Sequence, residues 1–142
     1  MSITLIDTSA LHALNYVRDD NHAQAVAYFK SILGRVKPIW TEWVFVETMN
    51  LTKARLGPEI AIGFGQRLKT SHAFHPLYLT DDDRLMTWEI FEQYQDKEWS
   101  YVDCSIFAVA QRLSIKRIFA FDHHFQQMGL EVVPYPDRED RN

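Results

Sequence analysis

Two aspartates in this sequence each come directly after a short apolar run that predicts a β-strand. Asp7 follows the run at residues 2–6, and Asp122 follows the run at residues 117–121. Strands separated by helices pair in parallel, and ligands bind beyond the carboxyl ends of such strands. We therefore expect both carboxylates to point into one crevice at that edge of the sheet. Because Asp is also a common helix-capping residue, each of them alone is equally compatible with a capping role.

Two further acidic residues lie on predicted helices beside apolar residues. Glu47 shares one stripe of its helix with Val44 and Leu51. A carboxylate on such a stripe is costly unless it is paired, bound to a metal or able to reach water at the margin. Asp103 stands three residues after Ser100, the spacing of a capping box, and it also begins the apolar face of its helix. A capping role for Asp103 is compatible with a place in the same crevice.

Carboxylates that converge in this way predict a particular chemistry. Ionised carboxylates a few ångströms apart repel one another, and some take up protons unless a cation compensates. Oxygen ligands without a cysteine or histidine cluster favour Mg²⁺ or Mn²⁺ over zinc, and the single cysteine, Cys104, excludes a cysteine-cluster zinc site. Such an ion can activate a bound water and polarise a phosphoryl oxygen. The acids thus indicate a site for metal-assisted hydrolysis.

The elements that must position these acids follow from the rest of the pattern. Strands are predicted at residues 2–6, 74–79, 117–121 and 130–133, with a brief extended piece at 38–40. Helices are predicted after Asp7, at about residues 22–33, from Thr41 to about 55, at 58–70, after Thr80 and from Ser100 to about 113. We expect a three-layer α/β sandwich around a central, mainly parallel sheet of four or five strands. One domain should occupy residues 1–136, followed by a frayed charged tail at 137–142.

Composition narrows the class of protein. The 142 residues are 46% hydrophobic and 24% charged, which is typical of a globular domain. No apolar stretch approaches the ~20 residues of a membrane span and no signal peptide is apparent, so we expect a cytoplasmic protein without membrane contact. The formal net charge of −4 counts modestly against a general nucleic-acid binder. Cations bound at the acids would remove most of that objection.

At these acids the sequence resembles the PIN domain family, and most closely its small VapC-type toxin nucleases. The resemblance rests on Ile-Asp-Thr-Ser-Ala-Leu at residues 6–11, Val-Glu-Thr at 46–48, Ser-Tyr-Val-Asp-Cys-Ser-Ile at 100–106 and Phe-Asp-His-His-Phe at 121–125. It covers nearly the whole chain, with the acids in the family's order and spacing. Cys104 and Ser105 stand where the family often carries small apolar residues, but they leave the acid in place.

The resemblance implies an endoribonuclease dependent on Mg²⁺ or Mn²⁺ that hydrolyses RNA phosphodiester bonds with metal-activated water. It further implies the toxin of a type II toxin–antitoxin pair, with RNA as substrate, a cognate antitoxin as partner and a homodimeric assembly. The implied metal and catalytic residues are Asp7, Glu47, Asp103 and Asp122. Asp7 and Asp103 would be direct ligands, while Glu47 or Asp122 would orient the water or hold a second ion. Ser9 would donate its hydroxyl to a ligand carboxylate, with Ser105 a weaker choice for the same role.

Other residues that suggest a function have simpler structural explanations. Of His123 and His124, one is expected to be exposed and one to pack near Phe125. The run Asp81-Asp82-Asp83 is a favourable arrangement at a helix start, where the helix dipole attracts negative charge.

Three alternative classes of protein compete with this interpretation. A phosphatase of the haloacid-dehalogenase type needs Asp-x-Asp after the first strand, and the second position here is Ser9. A receiver domain needs a central phosphoacceptor aspartate with a late lysine, and no convincing pair is present. The alternative that remains is a non-catalytic PIN-like module that binds RNA or protein.

Overall fold

A computed structural model describes residues 2–136, so the predicted tail at 137–142 lies outside the described residues. The strands are β1 (Ser2–Ile6), β2 (Val36–Thr41), β3 (His75–Leu77), β4 (Arg117–Phe119) and β5 (Glu131–Val133). They form one sheet in the order β3-β2-β1-β4-β5, and every neighbouring pair is parallel. The predicted α/β architecture with a central parallel sheet is confirmed.

Six α-helices connect the strands. They are α1 (Thr8–Asn15), α2 (His22–Ile32), α3 (Glu42–Leu56), α4 (Pro58–Thr70), α5 (Asp81–Gln93) and α6 (Tyr101–Leu113), and a 3₁₀ helix follows at His123–Met128. Their starts obey local capping rules. Thr41 accepts a hydrogen bond from the backbone N–H of Val44, and both Thr80 and Ser100 form complete capping boxes.

The second strand is longer than the sequence indicated. The brief extended piece predicted at residues 38–40 is part of the six-residue β2, which lies between β1 and β3. Pro38 weakens the strand signal, since proline is uncommon inside sheets. The burial of Ile39 and Trp40 in the core favours the strand nevertheless. β3, which contains Pro76, lies at the sheet edge as predicted.

The end of β4 corrects the prediction for Asp122. The strand stops at Phe119 rather than at residue 121, so Asp122 does not follow it directly. Beyond Phe119 the backbone N–H of Ala120 donates to the carbonyl oxygen of Val133 at 3.0 Å, and the backbone N–H of Phe121 donates to Oγ of Ser9 at 3.0 Å. Asp122 therefore stands at the start of the 3₁₀ helix, without a capping hydrogen bond from its side chain.

The hydrophobic core lies around the inner strands. Leu5 and Ile6 of β1 and Ile118 and Phe119 of β4 are almost completely buried, and Val109 of α6 is buried with them. This packing holds the carboxyl ends of the two central strands in place. Within residues 2–136, no helix combines the length and hydropathy that crossing a membrane requires.

Candidate active site

A pocket of about 490 Å³ lies just past the carboxyl ends of β1 and β4. The four acids singled out in the sequence, Asp7, Glu47, Asp103 and Asp122, all line it. They reach it from β1, from α3, from the first turn of α6 and from the start of the 3₁₀ helix. Four segments distant in sequence thus present their carboxylates to one space.

Asp7 is the most deeply buried of the four. Asp7 is 3% exposed. Its Oδ2 accepts hydrogen bonds from Oγ of Ser9 at 2.9 Å and from the backbone N–H of Ser9 at 3.3 Å. Asp7 is also the N-cap of α1, because the second of these bonds satisfies a free N–H of the first turn. Its Oδ1 accepts no hydrogen bond from residues 2–136 and is available to a ligand.

The electrostatic surroundings of Asp7 disfavour its charged form. Burial raises the pKa of Asp7 from 3.8 to about 7, the hydrogen bond from Ser9 opposes that shift, and the negative charges of Asp103 and Glu47 raise the pKa further. The three carboxylates therefore lie close enough to interact. A positive charge bound beside Asp7 would favour its ionised form.

Asp103 is held by the first turn of α6. Its Oδ2 accepts from the backbone N–H of Ser100 at 2.9 Å, and Oγ of Ser100 accepts from the backbone N–H of Asp103 at 3.0 Å. The residue is 8% exposed, and its Oδ1 accepts no hydrogen bond from the described part of the chain. The cap therefore orients the carboxylate and leaves one oxygen free.

His124 approaches the same carboxylate and was missed by the sequence interpretation. Its Nε2 lies 3.0 Å from Oδ2 of Asp103, although the contact does not have hydrogen-bond geometry. The ring also packs on Phe125, with 4.5 Å between centroids, as predicted for one of the two histidines. His123 is exposed. No local sequence pattern predicts the contact with Asp103, because the contact depends on a 3₁₀ helix that the sequence did not predict.

Glu47 and Asp122 occupy the more open part of the pocket. Glu47 is half-buried on α3, and Asp122 is exposed. Neither carboxylate forms an ion pair or a hydrogen bond with any residue in the range 2–136. All four acids line one pocket, and among residues 2–136 none of them forms an ion pair with an arginine or lysine.

The two serines predicted to support the acids behave differently. The hydroxyl of Ser9 donates to Asp7 and accepts from Phe121, so it links α1 to the segment after β4. The structure does not bring Ser105 to the pocket. Its buried hydroxyl donates to the carbonyl oxygen of Val102 at 2.5 Å, because a serine inside a helix can bond to the preceding turn.

The acidic run at the start of α5 lies apart from this pocket. Asp83 belongs to the capping box with Thr80, and its carboxylate accepts two hydrogen bonds from Arg112, at 2.6 and 2.9 Å. Asp81 and Asp82 are exposed. The structure is consistent with the interpretation of this run as a helix start. The sequence did not predict the ion pair that Asp83 forms with Arg112 of α6.

The pocket fits a hard divalent cation by the chemistry of its donors. Among residues 2–136, no three acidic, histidine or cysteine side chains already stand in an arrangement that would hold a metal ion. Asp7 and Asp103 nevertheless each keep one oxygen without a hydrogen bond from the described residues, and positive charge would relieve the mutual repulsion of Asp7, Asp103 and Glu47.

The fold and the pocket together define an α/β protein with an acidic centre at the carboxyl edge of a parallel sheet. The family model of the PIN domain matches residues 4–130. The chain therefore belongs to the PIN domain family.

Individual relatives agree with this assignment. The 23S rRNA-specific endonuclease VapC20 of Mycobacterium tuberculosis is 29% identical over 132 residues, which cover 91% of this chain and 97% of that protein. The crystal structure of VapC20, described as a Sarcin-Ricin loop cleaving toxin, has a TM-score of 0.83 at 27% identity and covers 92% of this chain and 97% of its own.

Two more distant structures share the fold. FitAcB from Neisseria gonorrhoeae has a TM-score of 0.67 at 20% identity, covering 93% of this chain and 96% of that one. VapBC2 from Rickettsia felis, bound to a DNA fragment from its promoter, has a TM-score of 0.71 at 10% identity, covering 92% and 96%. At these identities the likeness concerns the fold alone.

Proposed function

We propose that this protein is a metal-dependent endoribonuclease that hydrolyses RNA phosphodiester bonds. The observation that carries the proposal is the pocket lined by Asp7, Glu47, Asp103 and Asp122, in which burial, with a further contribution from the charges of Asp103 and Glu47, raises the pKa of Asp7 to about 7. VapC20, which resembles this chain over nearly its full length, is an endonuclease specific for 23S rRNA. That relative supports RNA as the substrate class, without naming the RNA that this chain cleaves.

Each acid has a proposed role. Asp7 and Asp103 would hold Mg²⁺ or Mn²⁺ through their free Oδ1 atoms. When bound, the ion supplies compensating charge and lowers the pKa of an attacking water. Ser9 keeps the Asp7 carboxylate oriented through its hydroxyl, and the cap at Ser100 does the same for Asp103.

The two acids of the open part of the pocket have a different role. Glu47 and Asp122 carry no competing partner within the described residues, which leaves them free to orient the water or to hold a second ion. Their half-buried and exposed positions suit groups that contact solvent and substrate. Either of these roles would make them catalytic residues.

We propose further that the chain is the toxin of a toxin–antitoxin pair, acting in the cytoplasm and assembling as a homodimer. VapC20 is described as a toxin, which supports the first part. Expression of the chain without its genetic neighbour should arrest growth, and expression of the Asp7→Asn variant should not. Normal growth at good expression of the unaltered protein would contradict the toxin assignment, while nuclease activity would be judged separately. Light scattering of the purified protein tests the dimer.

The nuclease proposal is tested by cleavage of single-stranded RNA with purified protein. EDTA, Asp7→Asn and Asp103→Asn should each abolish cleavage, and added Mn²⁺ or Mg²⁺ should restore it only in the unaltered protein. Asp82→Asn is the matched control, because it removes an exposed acid that lies outside the pocket. Cleavage that survives both the chelator and Asp7→Asn would refute the proposed site. RNA binding without cleavage under all conditions would favour the non-catalytic module instead.

A further inference from the structure

The acidic pocket continues beyond the carboxylates. His12 of α1, Asp19 and Asn21 of the following loop, and Arg55 of α3 also line it. Arg55 is the one arginine or lysine among the pocket-lining residues that the structure describes. We infer that Arg55 binds a phosphate of the RNA strand that neighbours the phosphate at the cleaved bond. This inference rests on the proposed nuclease function.

The position of Arg55 follows from the geometry of α3. Glu47, Leu51 and Arg55 are spaced four residues apart, so they lie on one face of the helix, and all three line the pocket. Eight residues of α-helix separate the Cα atoms of Glu47 and Arg55 by about 12 Å. Arg55 is therefore suited to a phosphate that flanks the scissile one, while Glu47 faces the centre of the reaction.

The guanidinium of Arg55 is free to take a ligand. The residue is exposed, and within residues 2–136 it has no carboxylate within ion-pair distance. Several other basic residues are already paired, including Arg84, Lys97, Arg112 and Arg117. Guanidinium groups recognise phosphate through paired N–H donors, which makes an unpaired arginine in a pocket a suitable phosphate ligand.

His12 lines the same pocket as Arg55. The imidazole is 5% exposed, with Nε2 3.9 Å from Oδ2 of Asp19. Burial lowers the pKa of His12, the charge of Asp19 opposes this, and the charge of Arg55 lowers the pKa further. Nδ1 of His12 is buried without a hydrogen-bond partner among the described residues.

The negative charge of the pocket explains why one positive side chain, that of Arg55, matters for RNA binding. The pocket carries five carboxylates, those of Asp7, Asp19, Glu47, Asp103 and Asp122, and the chain has a net charge of −4. Repulsion of RNA by these acids is only partly removed by a bound divalent ion. A positive side chain at the pocket wall offsets the remainder and determines where the backbone enters.

The test compares Arg55→Ala, Arg55→Lys and Lys53→Ala in steady-state RNA cleavage at several salt concentrations. Lys53 is the matched control, because it is also exposed and basic in the last turn of α3 but does not line the pocket. Arg55→Ala should raise KM about tenfold, as expected for a lost charged hydrogen bond, and change kcat by less than about twofold. It should also reduce the slope of log KM against log salt by the amount that corresponds to the loss of about one phosphate contact. Arg55→Lys should recover part of both the KM and the slope.

The outcomes separate this inference from the proposed function. If the unaltered protein does not cleave RNA, the proposed function fails and the inference falls with it. If the unaltered protein cleaves RNA and Arg55→Ala has the KM and salt dependence of Lys53→Ala, the inference alone is overturned. A fall in kcat without a change in KM would also overturn it, since that result places Arg55 in catalysis or stability rather than in substrate binding.

Discussion

The hydroxyl of Ser9 lies 2.9 Å from Oδ2 of Asp7 and holds the central carboxylate of the pocket in one orientation. Oγ of Ser9 also accepts a hydrogen bond from the backbone N–H of Phe121 at 3.0 Å, so Ser9 also holds the segment that carries Asp122. One side chain thus couples two of the four acids.

Replacing Ser9 by alanine should therefore impair cleavage without unfolding the protein. The hydrogen bond to the carboxylate is lost, and RNA cleavage should fall about 10- to 100-fold, the range typical of residues that orient metal ligands. The control is Ser105→Ala, which removes another buried serine hydroxyl, one that donates only to the carbonyl of Val102. The measurement is the cleavage rate of both variants at matched folded concentration. Equal rates for the two would show that the Ser9 contact is dispensable.

Asp7 should reduce the stability of the metal-free protein at neutral pH. Its pKa of about 7 in the folded state exceeds its ordinary value of 3.8. At pH values between these two pKa values, the Asp7 carboxyl is therefore more fully protonated in the folded than in the unfolded state. The free energy of unfolding should fall as pH rises through that window, by at most about 4 kcal/mol. Asp7→Asn removes this cost, so the variant should unfold at higher temperature than the unaltered protein in EDTA at pH 7.

The measurement is thermal unfolding in EDTA from pH 4 to pH 8. The stability advantage of Asp7→Asn should grow with pH and level off above about pH 7, whereas Asp82→Asn should show no such trend. Mn²⁺ should raise the unfolding temperature of the unaltered protein and leave that of Asp7→Asn unchanged, because an ion stabilises only the state that binds it. A difference between Asp7→Asn and the unaltered protein that does not vary with pH would contradict the environment described for Asp7.

His124 offers a separate test of the pocket. His124→Phe keeps a ring that can pack on Phe125 but removes the nitrogen that lies 3.0 Å from Asp103. Cleavage should fall about tenfold, because a neighbour of a ligand carboxylate is lost, while thermal stability should change by less than about 1 kcal/mol. His123→Phe alters the exposed neighbour and should leave the rate unchanged. A rate for His124→Phe equal to that of His123→Phe would limit His124 to packing.

The sequence predicted well those features that depend on neighbouring residues. The strand at Ser2–Ile6, the helix at Pro58–Thr70 and the capping box of Ser100 with Asp103 all follow from runs of a few residues, and the structure has them as predicted. The parallel sheet follows from the alternation of strands and helices. The acids of the pocket were found because each stands at a recognisable local boundary or interrupts an apolar stripe.

Features that depend on the path of a loop were not predictable in the same way. The contact of His124 with Asp103 requires the 3₁₀ helix after β4, and the hydrogen bond from Phe121 to Ser9 joins residues more than a hundred positions apart in sequence. Asp83 and Arg112 are 29 residues apart and meet only because α5 packs on α6. No periodicity or capping rule encodes such meetings.

The ion pair of Asp83 with Arg112 should stabilise the fold without contributing to cleavage. Burial opposes ionisation of Asp83, but hydrogen bonds from Arg112 and Thr80 outweigh it and lower the pKa of Asp83. Arg112→Met would leave a buried carboxylate without its partner and should cost about 3 kcal/mol, the lower end for such pairs, because the Arg112 side chain is 35% exposed. This loss should be largest above pH 4 and shrink as acid protonates Asp83. Arg84→Met, which breaks only exposed ion pairs, should cost less than about 1 kcal/mol. Urea unfolding of the two variants measures the difference, and equal costs would show that the buried pair contributes no more than a surface one.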